Sequence, residues 1–93
     1  MDVVNHFNDN TINLTVLMEQ YKNTFTKSEQ KLYNYITNNF EQIVYQSLTE
    51  IAIDCQVGEA TVLRFCRKLG YKGYQEFKLA LARELLVREK KRQ

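Results

Sequence analysis

The chain has 93 residues, 44% of them hydrophobic, with no proline and three glycines, which is enough for one modest core and excludes a second domain within this stretch. No run of about 18 apolar residues is present, and the start MDVVNHFNDN lacks the basic and apolar segments of a signal peptide, so a membrane span and a secretory leader are not expected. The net charge of +2 divides unevenly: residues 1–63 hold three basic side chains against eight acidic, a net of −5, and residues 64–93 hold ten against three, a net of +7, as in surfaces that face a polyanion.

Residues 1–10 read as a polar leader. Leu14, Leu17, Met18, Tyr21 and Phe25 form a helical stripe, which predicts a helix over about 12–24 with Asn10 and Thr11 as caps. This stripe either packs on the rest of the bundle or meets a second copy of the chain. Thr26-Lys-Ser-Glu29 has capping-box spacing and starts a helix from about 27 to 38 that buries Leu32 and Ile36. Asn38-Asn39 suits a stop, and Phe40–Val44 suits a short helical turn with Ile43 and Val44 underneath. The tyrosines and phenylalanines of this stretch are expected in the core.

Ser47-Leu-Thr-Glu50 repeats the capping box ahead of a helix at about 48–55, buried through Leu48, Ile51, Ala52 and Cys55. A new stripe of Val62, Phe65, Cys66 and Leu69 predicts a helix at about 59–69, stopped by Gly70. After the turn Tyr71-Lys-Gly-Tyr74, a last helix at about 74–90 places Tyr74, Phe77, Leu81 and Leu85 on one face and Leu79, Ala82 and Leu86 on a second flank. Residues 88–93 lack apolar support and should fray. The expected class is all-α, a compact bundle of about five helices with a helix-turn-helix at about 48–69.

The functional constellation is that pair of short helices. Ala52 is small where the two helices cross, Val57 is apolar after the turn, and Val62 and Phe65 face inward. The opposite face of the second helix then carries Ala60, Arg64, Arg67 and Lys68, with Glu59, Thr61 and Leu63 at its margins and Lys72 beyond its end. Small residues at the start permit close approach to base edges, and guanidinium groups can fork onto guanine or phosphate. The expected DNA-facing set is Glu59, Ala60, Thr61, Arg64, Arg67, Lys68 and Lys72. The plainer alternative, ordinary surface cations, stands beside it. Cys55 and Cys66 read as small core residues in a reducing cytoplasm, and Tyr71 and Tyr74 as core-edge aromatics. His6 stands apart from both cysteines, so no catalytic residues, metal ligands or cofactors are assigned, and an enzyme is not expected. Asn13-Leu-Thr15 matches a glycosylation sequon by chance.

The segment EATVLRFCRKLGYKGYQEFKLALA, Glu59 to Ala82, together with the upstream T-x-x-E-Q and SLTEIA, resembles the amino-terminal domain of the RpiR family of bacterial transcriptional regulators. The resemblance covers Thr26 to Leu81, about 60% of the chain. It implies a helix-turn-helix bundle that binds double-stranded operator DNA, as a homodimer, in control of sugar or phosphosugar metabolism. It also implies a separate sugar-isomerase-type domain that senses a phosphosugar, for which residues 82–93 would begin the connection. The chain departs from the family turn, where glycine and serine flank the valine; here Gln56 and Gly58 do. Gln56 would then adopt a left-handed conformation at a cost of about 1 kcal/mol, and Gly58 would cap without a side-chain oxygen. The competing reading is a helical protein-interaction module whose basic face meets an acidic protein.

Overall fold

A computed structural model describes residues 14–92, with side chains as far as Arg88. The polar leader, the Asn10 and Thr11 caps, His6 and the sequon asparagine lie outside the described residues. Six helices are present among the described residues: α1 Leu14–Tyr21, α2 Lys27–Asn38, α3 Phe40–Ile43, α4 Leu48–Cys55, α5 Glu59–Lys68 and α6 Tyr74–Arg92. A 3-10 turn, Lys22–Thr24, follows α1, so the predicted first helix tightens over its last residues.

Both capping boxes form. The Glu29 amide donates to Thr26 Oγ1 at 3.2 Å while the Thr26 amide donates to Glu29 Oε1 at 2.9 Å. At α4 the Glu50 and Ser47 amides make the same reciprocal pair at 3.1 and 2.8 Å. Two backbone amides are thus satisfied at each start, which fixes where α2 and α4 begin.

The core joins Leu14, Met18, Leu32, Ile36, Ile43, Ile51, Val62, Phe65, Leu69, Phe77 and Leu81, all buried. Helix α2 packs on α4 and α5, and α6 packs on α1, α3 and α5. The first stripe therefore packs on its own bundle, with Leu14 and Met18 at 3% and 0% exposure. Glu84 of α6 holds it there: the amides of Leu14 and Thr15 donate to Glu84 Oε1 at 2.5 and 3.3 Å, and the Thr15 hydroxyl donates to Oε2 at 2.9 Å. A buried carboxylate from the far end of the chain thereby serves the first amides of α1.

Four expectations are corrected. Tyr21 and Tyr45 are exposed rather than core, because each falls where its helix ends and turns away from the bundle. Leu79 and Leu86 are also exposed, because α6 has neighbours on one side only and its second flank faces solvent. The last helix continues to Arg92. Arg88 is docked, its guanidinium 3.9 Å from the Phe40 ring centroid and 3.1 Å from Glu84 Oε2.

Candidate nucleic-acid interface

The turn between α4 and α5 carries the departures noted in the sequence. Gln56 has φ 62° and ψ 45°, in the left-handed region, and its neighbour Val57 donates its amide to Ala52 at 3.0 Å. That 6→1 bond closes the end of α4, and it requires the left-handed residue between. Lys31 Nζ lies 3.4 Å from the Gln56 carbonyl oxygen, an added donor at the turn. Gly58 caps α5 with extended backbone and no side-chain bond, its carbonyl accepting from the Thr61 and Val62 amides at 3.1 and 3.3 Å. Ala52 is buried on α4, which packs against α5.

Helix α5 is anchored by Val62, Phe65 and Cys66, with Leu69 buried at its C-cap. Gly70 follows at φ 103°, and the Tyr71 amide returns to the Cys66 carbonyl at 3.0 Å. The left-handed glycine ends the helix where a side chain would be strained. Burial pushes the Cys66 thiol up to about 12, against the weaker opposing field of Arg67, so it is protonated and inert at neutral pH. Tyr74 is buried, its hydroxyl donating to the Gln46 carbonyl at 2.7 Å, and half-buried Tyr71 packs its ring 5.9 Å from Phe77.

With the core side fixed, α5 presents Glu59, Ala60, Arg64 and Arg67 to solvent, and Thr61 partly so. Arg64 Nη2 donates to Thr61 Oγ1 at 3.3 Å, and Arg67 Nε makes a long contact, 3.5 Å, to the Lys72 carbonyl. Lys72 is exposed just beyond the helix, its amide donating to Glu76 Oε1 at 2.6 Å. Lys68 is placed differently from the rest. Its ammonium donates to Glu29 Oε1 at 2.7 Å and to the Thr24 carbonyl at 2.9 Å, and stands 5.7 Å from the Phe25 ring centroid. Residues 59, 60, 64, 67 and 72 are thus exposed and Thr61 partly so, while Lys68 ties α5 to α2.

Sequence reasoning did not single out Thr49, whose hydroxyl donates to Glu59 Oε2 at 2.7 Å and so links the two helices of the motif. A bond between residues ten apart on different helices leaves no periodic signal, and only the exposed register of Thr49 on α4 hints at it.

The sequence profile of the helix-turn-helix domain, rpiR family, matches residues 12–87. The chain belongs to this family. It is 44% identical over 72 residues to an HTH-type transcriptional regulator of Clostridium perfringens, covering 74% of this chain and 26% of that protein. It is 37% identical over 60 residues to the HTH-type transcriptional regulator HexR of Escherichia coli, covering 64% and 21%. Among solved structures, the NanR protein of Vibrio vulnificus complexed with ManNAc-6P superposes with a TM-score of 0.78 at 39% identity, over 81% of this chain and 28% of that one. The chain thus spans about a quarter of the length of the first of these relatives. These relatives are transcriptional regulators by name. No helix among the described residues is long and apolar enough to cross a membrane.

The Lys68–Glu29 pair gives this rpiR-family domain a pH dependence. Burial pushes the Glu29 carboxyl upward, but the Lys68 ammonium, the Thr26 amide and the fields of Lys68 and Arg64 outweigh it and hold the pKa below its ordinary 4.5. A carboxylate depressed on folding stabilises the fold above its unfolded pKa, and that contribution is lost as pH falls through the folded value. Lys68→Met should therefore cost on the order of 1 kcal/mol near pH 7 and less once Glu29 is protonated. Chemical denaturation of parent and variant at the two pH values measures it; an equal deficit at both would show that the ammonium acts by packing alone.

Proposed function

We propose that this domain binds operator DNA in a sequence-specific manner, with α5 entering the major groove through Glu59, Ala60, Thr61, Arg64 and Arg67, and Lys72 gripping the backbone beyond it. The observation that carries the reading is the outer face of α5, small at its start and cationic further along, held against the bundle by a buried Val62, Phe65 and Cys66. Family membership and the regulators among its relatives support it. A protein-interaction module would present the same charge, but no particular observation favours that reading. Salt titration of binding to a selected duplex is the test. Log affinity should fall with log salt at a slope near −0.9 for each phosphate neutralised, and a flat profile would remove the DNA reading.

The regulator is proposed to act as a homodimer on half-sites about one helical turn, roughly 34 Å, or a multiple apart. Since Leu14 and Met18 of α1 are buried in the bundle, the apolar surface that best supports a dimer of this chain is the solvent flank of α6, where Leu79, Leu86 and Val87 are exposed. Sedimentation of Leu86→Glu beside the parent measures this: the parent should be heavier, and equal monomers would place dimerisation elsewhere. We further infer a cytoplasmic regulator of sugar or phosphosugar genes, with residues 82–93 leading toward a sugar-isomerase-type domain that binds the effector. The greater length of the relatives and the phosphosugar complex of NanR support that inference. Operator release by the longer protein on addition of phosphosugars checks it; release unaffected by any of them would oppose it.

A further inference from the structure

Glu59 poses a physical problem on a surface that faces phosphates. It is an exposed acidic side chain at the first position of α5, the helix that also carries Arg64 and Arg67, and a carboxylate in a DNA groove is repelled unless it meets a donor. It is also held. The Thr49 hydroxyl donates to Oε2 at 2.7 Å, and no described residue donates to Oε1. The packing of α4 on α5 that brings Thr49 to Glu59 is held by the turn bond from the Val57 amide to the Ala52 carbonyl. The carboxylate is therefore set in place before any partner arrives, with one oxygen occupied and the other open at the amino-terminal turn of the helix, the part that approaches base edges most closely.

The major groove offers two kinds of amine donor, cytosine N4 and adenine N6. On adenine the amine stands beside the N7 acceptor, whose lone pair would face the carboxylate. Cytosine presents its amine with no acceptor of its own in the groove, so its edge is the better match to an acceptor-only group. We propose that Glu59 is a specificity-determining residue that accepts a hydrogen bond from a cytosine amine in each half-site, with Thr49 as the positioning residue that aims its carboxylate. This inference rests on the DNA-binding reading above and deepens it.

The test is enrichment of random duplexes by the full chain, followed by sequencing, for the parent, Glu59→Gln, Thr49→Val and Thr49→Ser. The parent should favour cytosine about tenfold at one position of each half-site, the size of a modest base contact. Glu59→Gln should lose that preference while the other positions persist. Its amide oxygen stays on the Thr49 hydroxyl, and its NH2 turns to the groove, where guanine or thymine offers an acceptor and cytosine does not. Thr49→Val should flatten the same position, and Thr49→Ser, which keeps the hydroxyl, should retain it. A Glu59→Gln variant that melts lower yet selects the same cytosine would make the residue a structural brace and overturn the proposal, as would a parent motif lacking cytosine. A parent that enriches no motif would instead fail the DNA-binding reading itself, and the proposal with it.

Discussion

Phe65→Ala should destabilise the domain by about 3–5 kcal/mol, the largest effect expected of any single substitution here. The ring is fully buried, 5.1 Å from the Phe25 centroid and 6.2 Å from that of Phe77. Its removal takes the side chain that joins α5 to the segment before α2 on one side and to α6 on the other. The surrounding helices are held by capping boxes and by the Glu84 bonds to α1, so they cannot collapse far into the space. At about 4–8 °C per kcal/mol for a chain of this size, thermal melting should fall by well over ten degrees. A variant melting within a few degrees of the parent would mean that α5 sits in another register, and the DNA-facing residues would move with it.

Replacing Arg64 or Arg67 with alanine should weaken operator binding by about 1–3 kcal/mol where the arginine makes a bidentate base contact, and relax preference at the position it reads. Both side chains are exposed, one turn apart, and their hydrogen bonds are long contacts to Thr61 and the Lys72 carbonyl, beside the field that Arg64 exerts on Glu29. Those contacts are readily exchanged for guanine or phosphate. Lys72→Ala should act differently, weakening all sequences alike and lowering the salt slope by about one. None of the three substitutions should lower melting by more than a small amount, since none of these side chains enters the core and Arg64 reaches the fold only through its field on Glu29. Binding to operator and to random duplex at two salt concentrations separates the effects. Operator affinity unchanged in both arginine variants would remove the basic face as the reading surface. Lys68, also expected on this face, has its ammonium engaged by Glu29 and the Thr24 carbonyl in the free domain.

The sequence by itself determined the helix starts, the turn and the inner face of the recognition helix, because these are set by local rules. Thr26, Ser47 and their partners three residues on satisfy amides within one turn of helix. The stripe Val62, Phe65, Cys66 and Leu69 follows from the 3.6-residue period alone. The left-handed Gln56 was legible only through the family resemblance, which puts glycine at that place in the turn, and it lies at φ 62°. What only the tertiary structure decided is where each charged or apolar group off those stripes was spent. Lys68 lies on the same broad face as Arg64 and Arg67 in the sequence pattern, yet the approach of α2 supplies a carboxylate and a carbonyl for it. Arg88 belongs to a charged run but finds Phe40 and Glu84, and Leu86 belongs to an apolar flank but finds nothing. Thr49 reaches Glu59 across the crossing of two helices. Periodicity determines which side of a helix is buried; which neighbour stands opposite each remaining side chain depends on how the helices cross, and no local pattern encodes that.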